Sequence, residues 1–358
     1  MTTRHPICIP LLAVALAVPL TAACGTGEGH LTTVKIAMPA ASPTPGGAMY
    51  YASLPRTTGY AEDEGLDWKS INLAGSAPAM QALQSGSVDA AIAGTDTIAA
   101  ALAGGKFPAK AVYMVINGNI QIPYVPVDSE IQDAKDFEGK TVGVLNLGSA
   151  NQTALKASVE AAGGDPAKVT FVAVGPGAST AVALRRGQVD AISVADNYAA
   201  QVAALGVALR PIEDDSTKAA GATMALAVRD DLVATDPELV ERIARTIARS
   251  TVFARSNPEA AIKEHWAEYP ESKANVDETA EMALQLEITQ ARLAAMAPVD
   301  GLWGGTGDSQ VAERIRLAAI GGADTSGMTP SDVWDGSLLE AINNFDTAAV
   351  ESDARNGR

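Results

Sequence analysis

The chain has 358 residues, a formal net charge of −16 and three histidines. An acidic body of this kind argues against nucleic acid or an anionic membrane surface as a partner. The length is comfortable for two domains, and abundant Ala and Gly with 4% aromatic residues suit closely packed helix–sheet layers.

The first element in chain order is an export signal. Arg4 supplies the positive start, a mostly apolar run follows from Ile7 to Leu20, and Thr21-Ala22-Ala23 leads to Cys24. The run is too short for a permanent span, and Pro10 and Pro19 interrupt it. The small residues before Cys24 resemble the lipobox of bacterial lipoproteins, in which the cysteine left by cleavage carries a lipid. Thr21 departs from that pattern, where Leu or Val is more usual; the alternative is an ordinary signal peptide with an incidental cysteine. Either way residues 1–23 are expected to leave an extracytoplasmic chain. Cys8 lies in the removed segment, so Cys24 has no disulfide partner and suits an attachment point. Residues 24–33 read as a flexible tether.

Beyond the tether, short apolar runs alternate with helical stretches. Strands are expected at Val34–Met38, Trp68–Leu73, Ala90–Ala93 and Ala111–Ile116, then at Thr141–Leu145, Val169–Val174, Ala191–Val194 and Ala208–Pro211. Helices are expected between them at Gly47–Thr57, Ala77–Gln84, Thr97–Ala103, Ala150–Ala162, Thr180–Arg186 and Tyr198–Leu205. From Pro237 the chain turns mainly helical, over Pro237–Arg255, Pro258–Tyr269, Asp277–Met296 and Ser309–Gly321. This alternation predicts an α/β fold with parallel-type sheets and flanking helices.

A repeat divides the chain. Ala82-Leu83-Gln84-Ser85-Gly86-Ser87-Val88-Asp89-Ala90 returns as Ala183-Leu184-Arg185-Arg186-Gly187-Gln188-Val189-Asp190-Ala191, offset by 101 residues. Each copy reads as a helix end, a glycine C-cap and a strand start. One repeat at this spacing predicts two similar lobes. Ile122–Val127 and Met224–Val228 flank the second lobe and read as paired hinge strands. Lobe 1 then comprises 34–122 and 228–350, lobe 2 comprises 123–227, and 351–358 is a disordered tail.

At these residues the chain resembles the solute-binding proteins of ABC importers, in the nitrate/sulfonate/taurine and thiamine-precursor group. The resemblance rests on Ala48-Met49-Tyr50-Tyr51-Ala52, on Gly59 to Asp67, and on both copies of the repeat. It extends to Phe137 to Val144 with Gly148-Ser149, and to Gly327-Met328-Thr329-Pro330, Val333-Trp334 and Leu338-Leu339. It implies the two-lobed periplasmic-binding-protein type II fold, with two hinge crossovers and a ligand held between the lobes. A small organic or anionic solute (sulfonate, nitrate, taurine or pyrimidine-like) would be delivered by a lipid-anchored monomer to an ABC permease. A ligand-sensing lipoprotein coupled to a membrane signalling partner is the alternative, with a pyrimidine-synthase-like enzyme behind it.

Such a fold gathers helix starts at the carboxyl ends of its strands. Gly75-Ser76, Thr95-Asp96 and Gly148-Ser149 occupy such places and read either as ligand contacts or as helix caps. Asp196 and Tyr198 resemble the family's Asp-Pro-Tyr turn, with Asn197 replacing Pro; Asp196 either accepts from a ligand or caps its helix. Tyr50 follows the loop Pro39 to Gly47, which the resemblance places at the ligand. Trp303 reads as an aromatic lid or as surface packing. The predicted lobe-facing loops show no clear Arg or Lys, which leaves room for neutral or weakly anionic ligands. His5 is discarded, His30 lies in the tether, and His265 stands alone beside Trp266. No metal-ligand spacing, Walker-type phosphate loop or nucleophile–base pair is visible. The expectation is therefore a non-enzyme without cofactor or metal.

Overall fold

The computed structural model describes residues 31–105, 107–273 and 277–357. The signal segment, Cys24 and most of the expected tether lie outside the described residues. Ten strands among the described residues build two sheets. They are β1 (Thr32–Met38), β2 (Leu66–Asn72), β3 (Ala90–Gly94), β4 (Ala109–Ile116), β5 (Pro123–Pro126), β6 (Thr141–Val144), β7 (Thr170–Ala173), β8 (Ala191–Ser193), β9 (Leu209–Pro211) and β10 (Met224–Arg229). The first sheet has the order β2-β1-β3-β10-β4 and the second β7-β6-β8-β5-β9. β1 starts at Thr32, two residues inside the expected tether.

The two orders are the same arrangement used twice. β1 runs parallel to β2 and β3, as β6 does to β7 and β8. The repeat explains the correspondence. Asp89 accepts from the Lys35 amide at 2.8 Å while its own amide donates to the Lys35 carbonyl. Asp190 does the same with Thr141 at 2.7 Å. Each aspartate therefore pins the entry of the third strand to the first. Gly86 and Gly187 hold φ of +71° and +62°, left-handed positions that close the preceding helix.

The expected hinge pairing is corrected. β5 and β10 do not pair with each other. β5 lies antiparallel between β8 and β9, and β10 lies antiparallel between β3 and β4. Both sheets are consequently mixed, and Met224–Ala227 joins the first sheet instead of the second lobe. The cause is legible in the side chains of β10. Leu226 and Val228 complete a face of large residues with Val34, Ile36 and Ile92, whereas Ala225 and Ala227 complete the opposite face with Ala37, Ala91 and Ala93. The alanine face lets the helices Ser76–Gln84, Thr95–Leu102 and Asp308–Ile320 approach closely.

Two further departures have local causes. The helix expected over Gly47–Thr57 breaks into Pro45–Ala52 and Leu54–Thr57, with Pro55 in the first turn of the second piece. The expected disordered tail is a helix, Thr347–Asn356. Val350 and Ala354, four residues apart, are buried against the core, and the Ala354 carbonyl accepts from Asn257 Nδ2 at 2.8 Å.

His265 is fully buried under the first loop. Its Nδ1 lies 2.8 Å from Ser53 Oγ, and Nε2 lies 3.4 Å from the Pro43 carbonyl. A carbonyl can only accept, so Nε2 carries the proton and Ser53 donates to Nδ1. Burial pushes the imidazole down from 6.5 to about 4. Between those values the unfolded chain takes a proton that the folded chain refuses. Stability should therefore fall as pH drops from about 6.5 to about 4, by about 3 kcal/mol in all from this group. Urea unfolding at pH 7, 5.5 and 4 checks this; a slope unchanged by His265→Gln would remove the histidine as its cause.

The two sheets are joined by residues 117–122 and 212–223, which run side by side. Ala222 donates to the Asn117 carbonyl at 2.7 Å and Thr223 Oγ1 to the Gly118 carbonyl at 2.6 Å. Arg314, 0% exposed, reaches both segments from the Asp308–Ile320 helix. Its Nε donates to the Gly221 carbonyl at 2.6 Å, Nη1 to Gln121 Oε1 at 2.5 Å, and Nη2 to Thr223 Oγ1 at 2.9 Å and to the Ala220 carbonyl. Gly221 lets the second crossover press against the Gln310 side chain and the first crossover, since a Cβ there would stand 2.9 Å from the Asn117 carbonyl oxygen.

Candidate ligand site

Beside the crossovers lies a cavity of about 360 Å³. The first crossover contributes Gly118, Asn119 and Ile122, and β5 contributes Tyr124. The second crossover contributes Glu213 and Thr217. The remaining wall is Asp196 on one side and Ala291, Ala294 and Ala295 on the other. Asp196 opens the helix Asp196–Ala204 directly after β8, in the half built on the second sheet. The alanines belong to the end of the helix Glu278–Ala294, whose Leu293 packs into the core of the first sheet. The cavity thus has walls from both halves.

One ion pair closes the gap between those walls. Arg292, 3% exposed, projects from the Glu278–Ala294 helix to Asp196, which is also buried. Nε lies 3.0 Å from both carboxylate oxygens and Nη2 lies 2.7 Å from Oδ1, a side-on bidentate pair. Nη2 also donates to Asn197 Oδ1 at 3.0 Å, and the Asn197 amide donates to Asp196 Oδ1 at 2.8 Å. Burial opposes the charged form of Arg292, yet the Asp196 carboxylate together with the Tyr50 and Tyr51 phenols outweighs it, and the Arg292 pKa is raised. Position in the first turn of a helix adds a further favourable field for Asp196.

Tyr50 stands close enough to feel both charges. Burial holds its phenol well above the usual range, with Arg292 opposing the shift and Asp196 adding to it. Its hydroxyl is buried and has no hydrogen-bond partner. The neighbouring Tyr51 is satisfied, donating to the Gly47 carbonyl at 3.1 Å, and its phenol is pushed up to about 12 by burial. A buried hydroxyl without a partner costs roughly 1–3 kcal/mol unless something else supplies one.

The other sequence candidates lie apart from this cavity wall. Ser76 is not a cap: its Oγ accepts from the Gly94 amide at 3.0 Å and joins two helix starts, while Gly75 precedes it at φ +113°. Thr95 is fully buried with Oγ1 3.9 Å from Met114 Sδ, so its side chain faces the core. Asp96 keeps one buried carboxylate oxygen without a partner. Ser149 caps its helix by accepting from the Gln152 amide at 3.4 Å, and the Gly148 amide donates to Gln152 Oε1 at 2.7 Å. Tyr198 packs at the edge of the second sheet's core. Trp303 packs on the first sheet's core, with its amide donating to Asn343 Oδ1 at 2.8 Å.

Arg292 is the residue that sequence reasoning missed, because it lies in a helix and not in one of the lobe-facing loops. A signal was present. Ile288, Thr289, Arg292 and Leu293 form one buried helical stripe, and a charge inside such a stripe needs a buried partner. The same signal marks Arg314, which shares its stripe with Val311, Ile315 and Ala318. No group of His, Cys, Asp and Glu suited to a metal occurs among the described residues.

Two mixed sheets of one topology, joined by two crossovers with a cavity between them, define the periplasmic-binding-protein fold. The NMT1/THI5-like family model matches residues 48–261, more than half of the chain, and the chain belongs to that family. Solved structures of similar fold include a protein of Bordetella bronchiseptica RB50, at 22% identity and TM-score 0.61 over 88% of this chain and 98% of that one. The periplasmic aliphatic sulphonate binding protein SsuA of Escherichia coli is similar at 16% identity and TM-score 0.60, over 85% and 92% of the two chains. The alkanesulfonate-binding protein SsuA of Xanthomonas axonopodis pv. citri, solved with MOPS, is similar at 16% identity and TM-score 0.57, over 85% and 98%. No curated protein matches the sequence.

Proposed function

We propose that the chain is an extracytoplasmic solute-binding protein that holds a small organic solute in the crossover cavity and passes it to an ABC importer. The observation that carries this reading is the cavity itself, walled by both halves and bordered by the buried Asp196–Arg292 pair. The family supports it, as do fold relatives that bind sulfonates. Asp196 and Tyr50 belong to this site together with Arg292, Tyr124, Asn119 and Glu213, whereas Gly75, Ser76, Asp96, Gly148, Ser149 and Tyr198 shape the surrounding helix starts. The buried, unpartnered Tyr50 hydroxyl would serve the solute as a donor and acceptor only where binding opens a path to it.

Solute that touches both walls stabilises the closed arrangement. A melting-temperature screen of small sulfonates, amines, amides and pyrimidines on the chain without its signal should yield a stabilising compound, and small-angle scattering should show an equal or smaller radius of gyration with it. A screen without any stabilising compound, or an expanded particle at saturation, counts against the reading. Anchoring through Cys24 is part of the proposal: a Cys24→Ser variant should leave the membrane fraction, and its retention there would count against a lipid.

A further inference from the structure

The guanidinium of Arg292, which an anionic solute would seek, lies behind the Asp196 carboxylate that lines the cavity, and that carboxylate has already filled it. The side-on edge formed by Nε and Nη2 is the geometry with which arginine receives carboxylate, sulfonate or phosphate. Asp196 occupies that edge at 2.7–3.0 Å, and Asn197 Oδ1 takes a further Nη2 donor at 3.0 Å. Arg292 and Asp196 thus cancel, and the remaining charged group on the cavity wall is the carboxylate of Glu213. An anion entering here would shed its water beside a neutral pair and a like charge. A solute with an uncharged or cationic head meets neither obstacle.

We propose that Asp196 is a specificity-determining residue, a built-in anion on Arg292 that excludes sulfonate and carboxylate solutes from the cavity. This rests on the reading of the cavity as the solute site. The Asp196 amide also donates to the Ile120 carbonyl and its Oδ1 accepts from the Asn197 amide, contacts that an asparagine side chain leaves in place. Asp196→Asn therefore removes the charge while keeping one acceptor for Arg292, and it opens the guanidinium to an outside anion.

The test uses ethanesulfonate as probe and uncharged dimethyl sulfone as control, at constant ionic strength, with binding read by calorimetry and by melting temperature. Asp196→Asn should bind ethanesulfonate about tenfold or more tighter than wild type, with no such gain for dimethyl sulfone. Adding Arg292→Gln should abolish the gain. Equal ethanesulfonate affinity in wild type and the folded variant overturns the proposal and leaves the pair as a structural bridge. If Asp196→Asn folds only when ethanesulfonate is added, that rescue supports the proposal. If it does not fold under any condition, the wild type decides: saturable stabilisation by ethanesulfonate overturns the exclusion, and its absence supports it. A wild type that binds an uncharged solute alongside an Asp196→Asn variant indifferent to sulfonate defeats this inference alone. A wild type that binds nothing in the screen defeats the transport reading, while the gain in Asp196→Asn stays readable.

Discussion

Replacing Arg314 with Ala should destabilise the protein by about 3–5 kcal/mol, among the largest effects of any single side chain outside the apolar core. The guanidinium bonds the carbonyls of Ala220 and Gly221, Gln121 Oε1 and Thr223 Oγ1, and it is completely buried. Of these four, the Thr223 hydroxyl keeps its bond to the Gly118 carbonyl, so removal strands the other three acceptors in the interior, each costing roughly 1–3 kcal/mol, less whatever water enters the space left behind. Burial pushes the Arg314 pKa down to about 10, so the group is charged at neutral pH and needs all four acceptors. Lysine at 314 should recover only part of the loss, because an ammonium lacks the planar fork that reaches both crossovers at once. Urea unfolding measures both variants. A cost under about 1 kcal/mol for Arg314→Ala would mean that the crossovers hold their alignment without it.

Arg292→Ala should cost a comparable 3–5 kcal/mol, for a different reason. Here the group left behind is a carboxylate, Asp196, buried at the start of its helix with the Asn197 amide as its remaining close donor. An unpaired buried charge is worse than no charge at all. Arg292→Met combined with Asp196→Asn should therefore be less destabilised than the additive sum of the singles, with a coupling of about 1–3 kcal/mol. Additive losses would show that the two side chains do not act as a pair. Because the pair ties the Glu278–Ala294 helix to the half carrying β8, Arg292→Ala should also enlarge the radius of gyration. The helix and its first-sheet core should stay folded, since Leu293 and Met296 are untouched.

These two arginines also show how far a sequence reading reaches. Both sit in helices that the sequence predicts, and their buried stripes face the core. A stripe says that a residue points inward, but it does not say toward what. The partners of Arg314 lie about 90 to 190 residues away along the chain, and Asp196 lies 96 residues from Arg292. No local pattern encodes those distances.

What the sequence determined by itself is what short-range physics controls. Alternating apolar runs set the strands, glycines 86 and 187 end their helices because only glycine takes the left-handed turn cheaply, and the repeated aspartates 89 and 190 mark equivalent strand entries. From the match between those two copies followed two halves of one architecture. Tertiary structure alone decided where β5 and β10 insert. For β10 the side chains fit the place: its large residues join the large face of the first sheet and its alanines the alanine face. It also decided that Thr95 faces Met114 and that Asp196 meets Arg292. A helix start exposes the same donors and side chains whether a solute, a neighbouring strand or a distant arginine answers them. Only tertiary packing, within a half for Thr95 and between the halves for Asp196, selects among these, because the energy of a buried polar group depends on the partner that long-range folding brings to it.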